Sequence, residues 1–338
     1  MRAWFTRGDG IDALWSQELP IPSPGPTEVL LRVSALSLNY RDLLVINGVD
    51  TWKPPSPVVP ISDAVGTVIS VGEAVSRFRP GDRALPIFLP RWRTGPLTED
   101  SSVMPVGGPV NRGFLAEYVV VDEQEAVTAP GALSDILAAT LPIAGVTAWH
   151  ALARTGLSTD DSILIHGTGG VALFALQIAH AMGASVIITS SDDAKLERAR
   201  TIGAWATINY RTEDVANAVR RLTDGRGVDV VIETVGGQNL DLSLKASAVG
   251  ARIAFIGLIG GQSASVHTYR LVQRQVTVHG IETGSREMLQ DLVTFVEEKQ
   301  INPIVDKAFP AAGVPDALRH LEHAGHFGKV ALDAAGGW

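Results

Sequence analysis

From about residue 135 onward, short apolar runs alternate with segments whose apolar residues recur every three or four positions. The runs are rich in Val and Ile and predict β-strands at 162–166, 185–190, 206–210, 228–235 and 251–259. The segments between them predict helices at 171–183, 192–203, 212–223 and 238–248. Continuous apolar strands that alternate with helices predict a parallel sheet covered on both faces. Because crossovers between parallel strands are right-handed, this part of the chain is predicted to be a doubly wound α/β domain.

The first 130 or so residues predict short strands separated by turns. Residues 28–36 and 58–72 are rich in Val, Ile and Leu, and Pro80-Gly81-Asp82 is a turn sequence between two strand-like runs. Residues 86–113 show no periodicity. A loop of this length either forms part of a site or is an inert insertion, and the sequence leaves both interpretations open. Near the end of the chain, one more helix is predicted at 286–299.

The turn that follows the first strand of the α/β part is rich in glycine. Gly167, Gly169 and Ala172 fit the G-x-G-x-x-A pattern of dinucleotide-binding turns. The first glycine allows the tight turn, the second allows close approach of a pyrophosphate, and the small third residue allows packing of the helix against the strand. The helix amides that open at Gly170 and Val171 would then bind the phosphates. The sequence therefore predicts a nicotinamide dinucleotide cofactor.

The end of the second strand of this domain predicts which dinucleotide is bound. NAD-binding domains have an acidic residue there that binds the ribose hydroxyls. This chain instead has Ser190 and Ser191, with Lys195 nearby and Tyr210 after the next strand. These side chains can bind a 2′-phosphate that a carboxylate would repel, so we expect NADP. Alternatively, Lys195 is a solvated helix charge and Asp192 caps the helix.

Composition and charge narrow the function classes. The chain has no Cys, which excludes disulfides and cysteine-ligated metal sites. A net charge of −8 without a basic run argues against nucleic acid as a partner. No uninterrupted apolar run approaches the length of a membrane span, so no membrane partner is expected. A small-molecule substrate and a cytoplasmic location are the default expectations.

Several stretches together resemble the medium-chain dehydrogenase/reductase superfamily, and most closely its zinc-independent quinone oxidoreductase and enoyl reductase branch. They are LNYRDLL at 38–44, SDAVGTVISVG at 62–72, RFRPGDRAL at 77–85, LPIAGVTAWHAL at 141–152, HGTGGVALFALQIA at 166–179, GVDVVIETVGG at 227–237 and HFGKVAL at 326–332. The resemblance implies a GroES-like β-rich catalytic domain, 1–130 with 282–338, and a Rossmann coenzyme domain, 131–281. It also implies a homodimer that pairs through the last sheet strand, 275–280.

Zinc alcohol dehydrogenases of this superfamily hold their metal with a Cys, a His-Glu pair and a second Cys. The resemblance places Asn39 at the first Cys, Ser62 and Asp63 at the pair, and Ile143 at the second Cys. A catalytic zinc needs three protein ligands, which these residues cannot supply. We therefore expect no metal.

Without a metal, the favoured hydride acceptors are quinones and α,β-unsaturated carbonyl compounds. Asn39 is the first candidate for an amide donor to the substrate or nicotinamide, with helix capping as the alternative role. Tyr40 is a candidate phenolic donor, Asp42 a supporting acceptor for Arg41, and Asp63 a buried acceptor.

Trp52, Phe88 and Trp92 are candidates for lining an apolar substrate pocket, with ordinary packing as the alternative. The resemblance implies that Thr147, Phe327 and Lys329 lie at the cofactor. His166 ends a strand beside the glycine turn and is predicted to position this turn rather than to act in catalysis.

The leading hypothesis is a zinc-free, NADPH-dependent oxidoreductase that transfers hydride to an enone, an enoyl thioester or a quinone. The alternatives are a metal-independent alcohol dehydrogenase or carbonyl reductase, and a non-catalytic NADPH-binding protein.

Overall fold

The computed structural model describes residues 1–335 and 337–338. Contacts between residues divide the chain into two compact units. The first, here called the β-rich unit, comprises Met1–Val146 and Thr283–Trp338, and the second, the α/β unit, comprises Thr147–Glu282.

The strands and helices follow the predicted elements closely. The strands are β1 Arg2–Phe5, β2 Trp15–Glu18, β3 Glu28–Leu38, β4 Asp63–Val71, β5 Arg83–Pro86, β6 Tyr118–Asp122, β7 Ala126–Thr128, β8 Ser162–Ile165, β9 Ser185–Ser190, β10 Ala206–Asn209, β11 Val228–Glu233, β12 Ser247–Phe255, β13 Thr277–Gly280, β14 Val305–Pro310 and β15 Lys329–Asp333. The helices are α1 Tyr40–Ile46, α2 Asp135–Ala138, α3 Val146–Arg154, α4 Gly170–Ala181, α5 Asp193–Thr201, α6 Val215–Leu222, α7 Asn239–Ala246, α8 Tyr269–Arg274, α9 Arg286–Lys299 and α10 Val314–Glu322.

The α/β unit is built on a parallel sheet in which the described residues give the order β10-β9-β8-β11-β12-β13. Numbered within the unit, this is the order 3-2-1-4-5-6 of the doubly wound dinucleotide-binding fold. The predicted doubly wound domain is thus confirmed. One part of its core lies on a single face of the sheet, where the register partners Leu164, Ile187, Val231 and Ile253 are all fully buried.

One strand of this unit differs from its predicted bounds. Strand β12 begins before the predicted 251–259 and ends at Phe255. The amides of Ile256 and Gly257 both donate to the carbonyl of Glu233, which turns the chain out of the sheet. A Cβ on Gly257 would lie 2.3 Å from the carbonyl carbon of Thr234, so only glycine fits at this turn.

The β-rich unit contains a mixed sheet. Its described strands follow the order β14-β15-β3-β4-β5-β7, and β6 pairs with β3. Strands β14 and β15 pair in parallel, and the pairings of β15 with β3 and of β3 with β4 are antiparallel. The C-terminal strand β15 therefore lies directly beside β3, so one sheet contains strands from the N-terminal and C-terminal parts of the chain.

The loop predicted at 86–113 contains no helix or strand after Pro86, which ends β5, and part of it is packed. Phe88, Leu89 and Trp92 form a buried cluster with Ile143. The carbonyl of Trp92 also accepts a hydrogen bond from the amide of Arg286 at 2.9 Å. Ile143 and this loop both belong to the first segment of the β-rich unit, Met1–Val146.

One helical stretch, Asp135–Arg154, is long and apolar enough by composition to cross a membrane. The structure buries 72% of its most apolar window, as expected for a core helix.

Candidate active site

The glycine turn of the α/β unit connects β8 to α4. Gly167 has φ +79°, a conformation that favours glycine. Its amide donates to the Thr189 hydroxyl at 3.2 Å. Gly169 is the N-cap of α4, and no side chain caps the helix there. A Cβ on Gly169 would meet nothing within 4 Å, so the space beside this residue is open. This turn can accept an anion at the positive end of a helix.

The turn lies where the order of the strands reverses. Strand β8 has β9 on one side and β11 on the other. Ligands of open α/β sheets bind at the carboxyl ends of the strands at such a reversal. The turns after β8 and β11 are also joined, because the Thr234 hydroxyl donates to the carbonyl of His166. The residues present therefore fit the pyrophosphate of a dinucleotide.

The residues predicted to select the cofactor lie at the ends of β9 and β10 and in the first turn of α5. Ser190 ends β9 and is 5% exposed, and its carbonyl accepts from the Tyr210 amide at 3.1 Å. The Tyr210 side chain is 53% exposed. Asp192 accepts from the amides of Ala194 at 2.8 Å and Lys195 at 3.2 Å, which confirms that it caps α5. Its carboxylate is therefore turned to the helix amides.

Three further residues are predicted to bind the cofactor. Ser191 follows β9 and Lys195 lies in the first turn of α5, both half-buried. Thr147 lies in α3 and is 3% exposed.

In the β-rich unit, a buried polar cluster surrounds the start of α1. The Lys329 ammonium, on β15, donates to the carbonyl of Leu38 and to Oδ1 of Asn39, both at 2.6 Å. Nδ2 of Asn39 donates to Oδ2 of Asp63 at 2.8 Å, and this oxygen lies 3.7 Å from Nζ of Lys329. The amide of Asn39 is therefore held in one orientation by a cation on its oxygen and a carboxyl on its nitrogen.

Asp42 supports the same cluster from the first turn of α1. It accepts from the backbone amide of Asn39 at 2.8 Å, so Asn39 is the N-cap of α1. The second oxygen of Asp42 accepts from the Ser62 hydroxyl at 2.9 Å and lies 3.5 Å from Nη1 of Arg41. Asp42 thus contacts the backbone of Asn39 and the side chains of Ser62 and Arg41. Tyr40 is 42% exposed, at the edge of the cluster.

Burial dominates the electrostatics of this cluster. It raises the pKa of Asp63 to about 7, although the Lys329 ammonium opposes the shift. Oδ1 of Asp63 has no hydrogen-bond partner among residues 1–335 and 337–338, which further disfavours the ionised form. Burial also raises the pKa of Asp42 against the effect of Arg41, and it lowers the pKa of Lys329. The predicted role of Asp63 as a buried acceptor is confirmed.

The three predicted aromatic residues do not share one environment. Trp52 and Phe88 lie over the Arg41 guanidinium, at 5.3 Å and 4.7 Å from ring centre to Cζ. Phe88 is 3% exposed and Trp92 is 2% exposed, and both belong to the packed loop cluster. Trp52 is half-buried and is the member of the three that retains accessible surface.

Of the two residues near the C-terminus, Phe327 is 2% exposed and its amide donates to Asp306 at 3.1 Å. Lys329 is 4% exposed, and its ammonium contacts Leu38, Asn39 and Asp63 as described above.

Comparisons with known proteins agree with this geometry. Residues 25–131 match the alcohol dehydrogenase GroES-like domain, and residues 170–298 match the zinc-binding dehydrogenase domain. The chain is 37% identical over 332 residues to a zinc-type alcohol dehydrogenase-like protein of Schizosaccharomyces pombe, covering 96% of each chain. The chain belongs to the medium-chain dehydrogenase/reductase family. The predicted family is thereby confirmed.

Two other similar proteins have names that describe different oxidoreductase activities. The chain is 30% identical to a chloroplastic NADPH-dependent alkenal/one oxidoreductase of Arabidopsis thaliana, covering 98% of this chain and 79% of the relative. A crystal structure of an NAD-dependent alcohol dehydrogenase has a TM-score of 0.89 and 34% identity, covering 99% of this chain and all of that one. This medium-chain dehydrogenase/reductase is therefore an oxidoreductase of a family that uses nicotinamide cofactors.

The family also includes zinc enzymes, but the residues present here do not fit a catalytic zinc. Ile143 has no donor atom, and the amide oxygen of Asn39 accepts from an ammonium whose charge would repel a divalent cation. Within the described part of the chain, no group of three His, Cys, Asp or Glu residues is arranged to hold a metal ion.

The sequence did not reveal several contacts of the polar cluster or the buried neighbours of His166. It placed Lys329 at the cofactor without its contact to Asn39, and it did not single out Glu233 or Ser243, which are fully buried beside His166. A signal was present, since Lys329 and Glu233 are charged residues that each adjoin a run of three or more buried apolar residues in the same strand.

Proposed function

We propose that this protein is a zinc-free, NADPH-dependent reductase that transfers hydride to a conjugated enone or enoyl thioester, or to a quinone. The observation that carries the proposal is the hydrogen bond from the Lys329 ammonium to the side-chain oxygen of Asn39. At the position where the resemblance places a zinc ligand, the chain holds an oriented amide and a buried cation instead. The alkenal/one oxidoreductase of Arabidopsis thaliana supports the acceptor class.

The absence of fitting metal ligands favours acceptors that need little electrophilic help. In an enone, hydride adds at the β-carbon, the negative charge moves to the carbonyl oxygen as an enolate, and a proton then adds at the α-carbon. Reduced nicotinamide supplies the hydride when it is bound. Hydrogen-bond donors of the protein must stabilise the enolate oxygen.

Asn39 and Tyr40 are the donors that we assign to this oxygen. An amide nitrogen carries two hydrogens. In the described part of the chain, one hydrogen of Asn39 bonds to Asp63, and the second is the one proposed for the substrate. The Lys329 ammonium on Oδ1 polarises the amide and makes its N–H groups stronger donors. The half-buried Trp52 is proposed to contribute apolar surface for the substrate.

The preference for NADPH is argued from the end of β9. Ser190 occupies the position of the acidic residue typical of NAD sites, and Asp192 is engaged with the amides of α5. Lys195 and Tyr210 flank this position and supply a cation and a phenol for a 2′-phosphate. Gly167, Gly169, Gly170 and Val171 are proposed to hold the pyrophosphate.

Steady-state kinetics of the purified protein, depleted of metal by a chelator, test this proposal. We expect reduction of enones or quinones, with higher kcat/KM for NADPH than for NADH, and full activity in the chelator. Absence of turnover with a broad panel of enones, enoyl thioesters and quinones would refute the reductase assignment.

A second candidate is a metal-independent alcohol dehydrogenase, favoured by the similarity to the NAD-dependent alcohol dehydrogenase structure. It predicts reduction of a saturated ketone with an efficiency comparable to that of the enone. Tight NADPH binding without turnover of either class would instead indicate the non-catalytic alternative.

We also propose a homodimer formed along β13. This strand ends the parallel sheet, and its outer edge pairs with no strand of the described residues. Large apolar side chains are exposed on β13 itself, on β12, after the end of β12 and on α8: Val278, Val249, Leu258, Ile259, Tyr269 and Val272. An exposed apolar sheet edge is a template for pairing, and a second copy presents the same edge.

Light scattering after size exclusion tests the dimer. We expect twice the chain mass of 35.8 kDa, and half of that mass for Val278→Lys. The control Ile69→Lys changes a similarly exposed residue of the β-rich unit and should remain dimeric. A monomeric wild type would refute the proposal.

A further inference from the structure

Three buried side chains beneath the glycine turn form a hydrogen-bonded chain. Nε2 of His166 lies 3.0 Å from Oγ of Ser243, and the Ser243 hydroxyl contacts Oε2 of Glu233. Nε2 of His166 also lies 3.7 Å from Oε2 of Glu233. Glu233 and Ser243 are fully buried, and His166 is 2% exposed. Burying polar side chains in an apolar core costs folding free energy unless each one is hydrogen-bonded. The contacts of these three buried side chains therefore indicate what they contribute to the glycine turn above them.

The hydrogen-bonding capacity of each group fixes which one donates at each step of this hydrogen-bonded chain. Glu233 as a carboxylate only accepts, so the single hydrogen of the Ser243 hydroxyl goes to it. Oγ of Ser243 then accepts from His166, which places a hydrogen on Nε2. Burial lowers the pKa of His166, so the imidazole is neutral near pH 7. This tautomer is assigned from the hydrogen-bond network.

Glu233 is the centre of the network. Its Oε1 accepts from the amides of Val235 at 2.9 Å and Gly236 at 3.0 Å. Its Oε2 accepts from Nδ2 of Asn239 at 2.8 Å as well as from Ser243. Four donors therefore converge on one carboxylate and use its full acceptor capacity. Two of them are backbone amides of the turn between β11 and α7.

The same turn is fixed on its other side by close packing of glycines. A Cβ on Gly236 would lie 2.1 Å from the carbonyl oxygen of Gly257, and one on Gly237 would lie 1.9 Å from that of Gly260. The turn after β11 is thus held between Glu233 and the turn after β12.

His166 carries this constraint to the glycine turn. It immediately precedes Gly167, and its carbonyl accepts from the Thr234 hydroxyl. A side chain contact from below and a backbone contact from the side therefore fix the residue from which the dinucleotide turn begins.

We propose that Glu233, Ser243 and His166 form a positioning relay that holds the turns after β8 and β11 together in the arrangement that binds the dinucleotide. This inference rests on the proposed cofactor site and assigns residues that do not themselves touch the cofactor. Weakening the relay should loosen the preformed site, because the binding of cofactor must then order the turns.

The test compares NADPH affinity in Glu233→Gln and Ser243→Ala with the wild type, by fluorescence titration of the full chain. The first change removes acceptor capacity without changing size, and the second removes one hydroxyl and is the milder test of folding. We expect the Kd for NADPH to rise at least tenfold in Glu233→Gln and at least threefold in Ser243→Ala. At saturating NADPH, kcat should change less than threefold.

A matched control lies at the opposite end of the same strands. Asp229 on β11 accepts from the amide and hydroxyl of Ser162 on β8, at 2.9 and 2.8 Å, and from Arg226. Asp229→Asn weakens a comparable carboxylate centre far from the glycine turn. It should lower Tm, as Glu233→Gln should, and leave the Kd for NADPH unchanged.

The outcomes separate the relay from the proposed function. If the wild type binds neither NADPH nor NADH, the proposed cofactor site fails and the relay fails with it. If the wild type binds and both relay variants bind within twofold of it, the relay alone is overturned. A rise in Kd equal to that of Asp229→Asn would also overturn it, because the effect would then be general loss of stability.

Discussion

Replacing Asp63 by Asn should change how the stability of the protein depends on pH. Asp63 is fully buried between Asn39 and Lys329, and burial raises its pKa from 3.8 to about 7. Below about pH 4, the folded and unfolded chains both hold the proton. As the pH rises from about 4 to about 7, the unfolded chain ionises while the folded chain keeps the proton, so the wild type loses stability.

The size of the effect follows from the shift. A difference of about three pKa units, at 1.36 kcal/mol per unit, corresponds to about 4 kcal/mol. Asn has the shape of Asp and stays neutral, so Asp63→Asn removes this dependence. The free energy of unfolding of the variant minus that of the wild type should therefore rise by up to about 4 kcal/mol between pH 4 and pH 7.5.

Urea unfolding at half-unit pH steps from 4 to 7.5 measures this difference directly. Other groups also change the stability with pH; hydrogen bonds lower the pKa of Asp306, for example, so its contribution to stability increases as the pH rises. These contributions cancel when the variant is compared with the wild type. Asp9→Asn is the control, because Asp9 is exposed and paired with Lys53 at the surface. A difference that stays constant within 1 kcal/mol would show that Lys329 keeps Asp63 ionised throughout, and it would refute the reasoning.

Three further substitutions test the two clusters separately. Gly169→Asp should leave Tm unchanged or raise it, because Asp is a favourable N-cap, and it should weaken NADPH binding at least tenfold by repelling the pyrophosphate, as measured by titration. Ser190→Asp should lower kcat/KM for NADPH about tenfold or more and spare NADH; an equal loss for both cofactors would contradict the assignment of Ser190 to the 2′-phosphate. Lys329→Met should lower the free energy of unfolding at pH 6 by about 1–3 kcal/mol, because it leaves Oδ1 of Asn39 without the ammonium that donates to it; a loss below 1 kcal/mol would count against the importance of this contact.

The α/β unit could be predicted from sequence because its signals are local. The apolar pattern of runs such as 185–190 and of the helix after the glycine turn predicts their conformation directly. The doubly wound arrangement then follows from the right-handedness of the crossovers between parallel strands. The end of β12 could not be predicted, because it depends on the contact of Gly257 with Thr234, which is distant in sequence.

The site shows the same distinction between local and distant information. The cap at Asp192 and the open turn at Gly169 are formed by neighbouring residues and could be anticipated. The contact of Lys329 with Asn39 spans 290 positions and arises from the pairing of β15 with β3, which no short motif encodes. The burial of Trp92 likewise follows from packing on Ile143 and could not be distinguished in advance from a role in a substrate pocket.

Product identification with deuterium-labelled NADPH is the most direct test of the central claim. The metal-depleted protein would be incubated with the labelled cofactor and 2-cyclohexenone, and the product analysed by mass spectrometry and NMR. The account predicts saturated cyclohexanone with deuterium at the β-carbon and an undiminished yield in the chelator. The allylic alcohol with deuterium at the carbonyl carbon, or a product that forms only when zinc is restored, would contradict it.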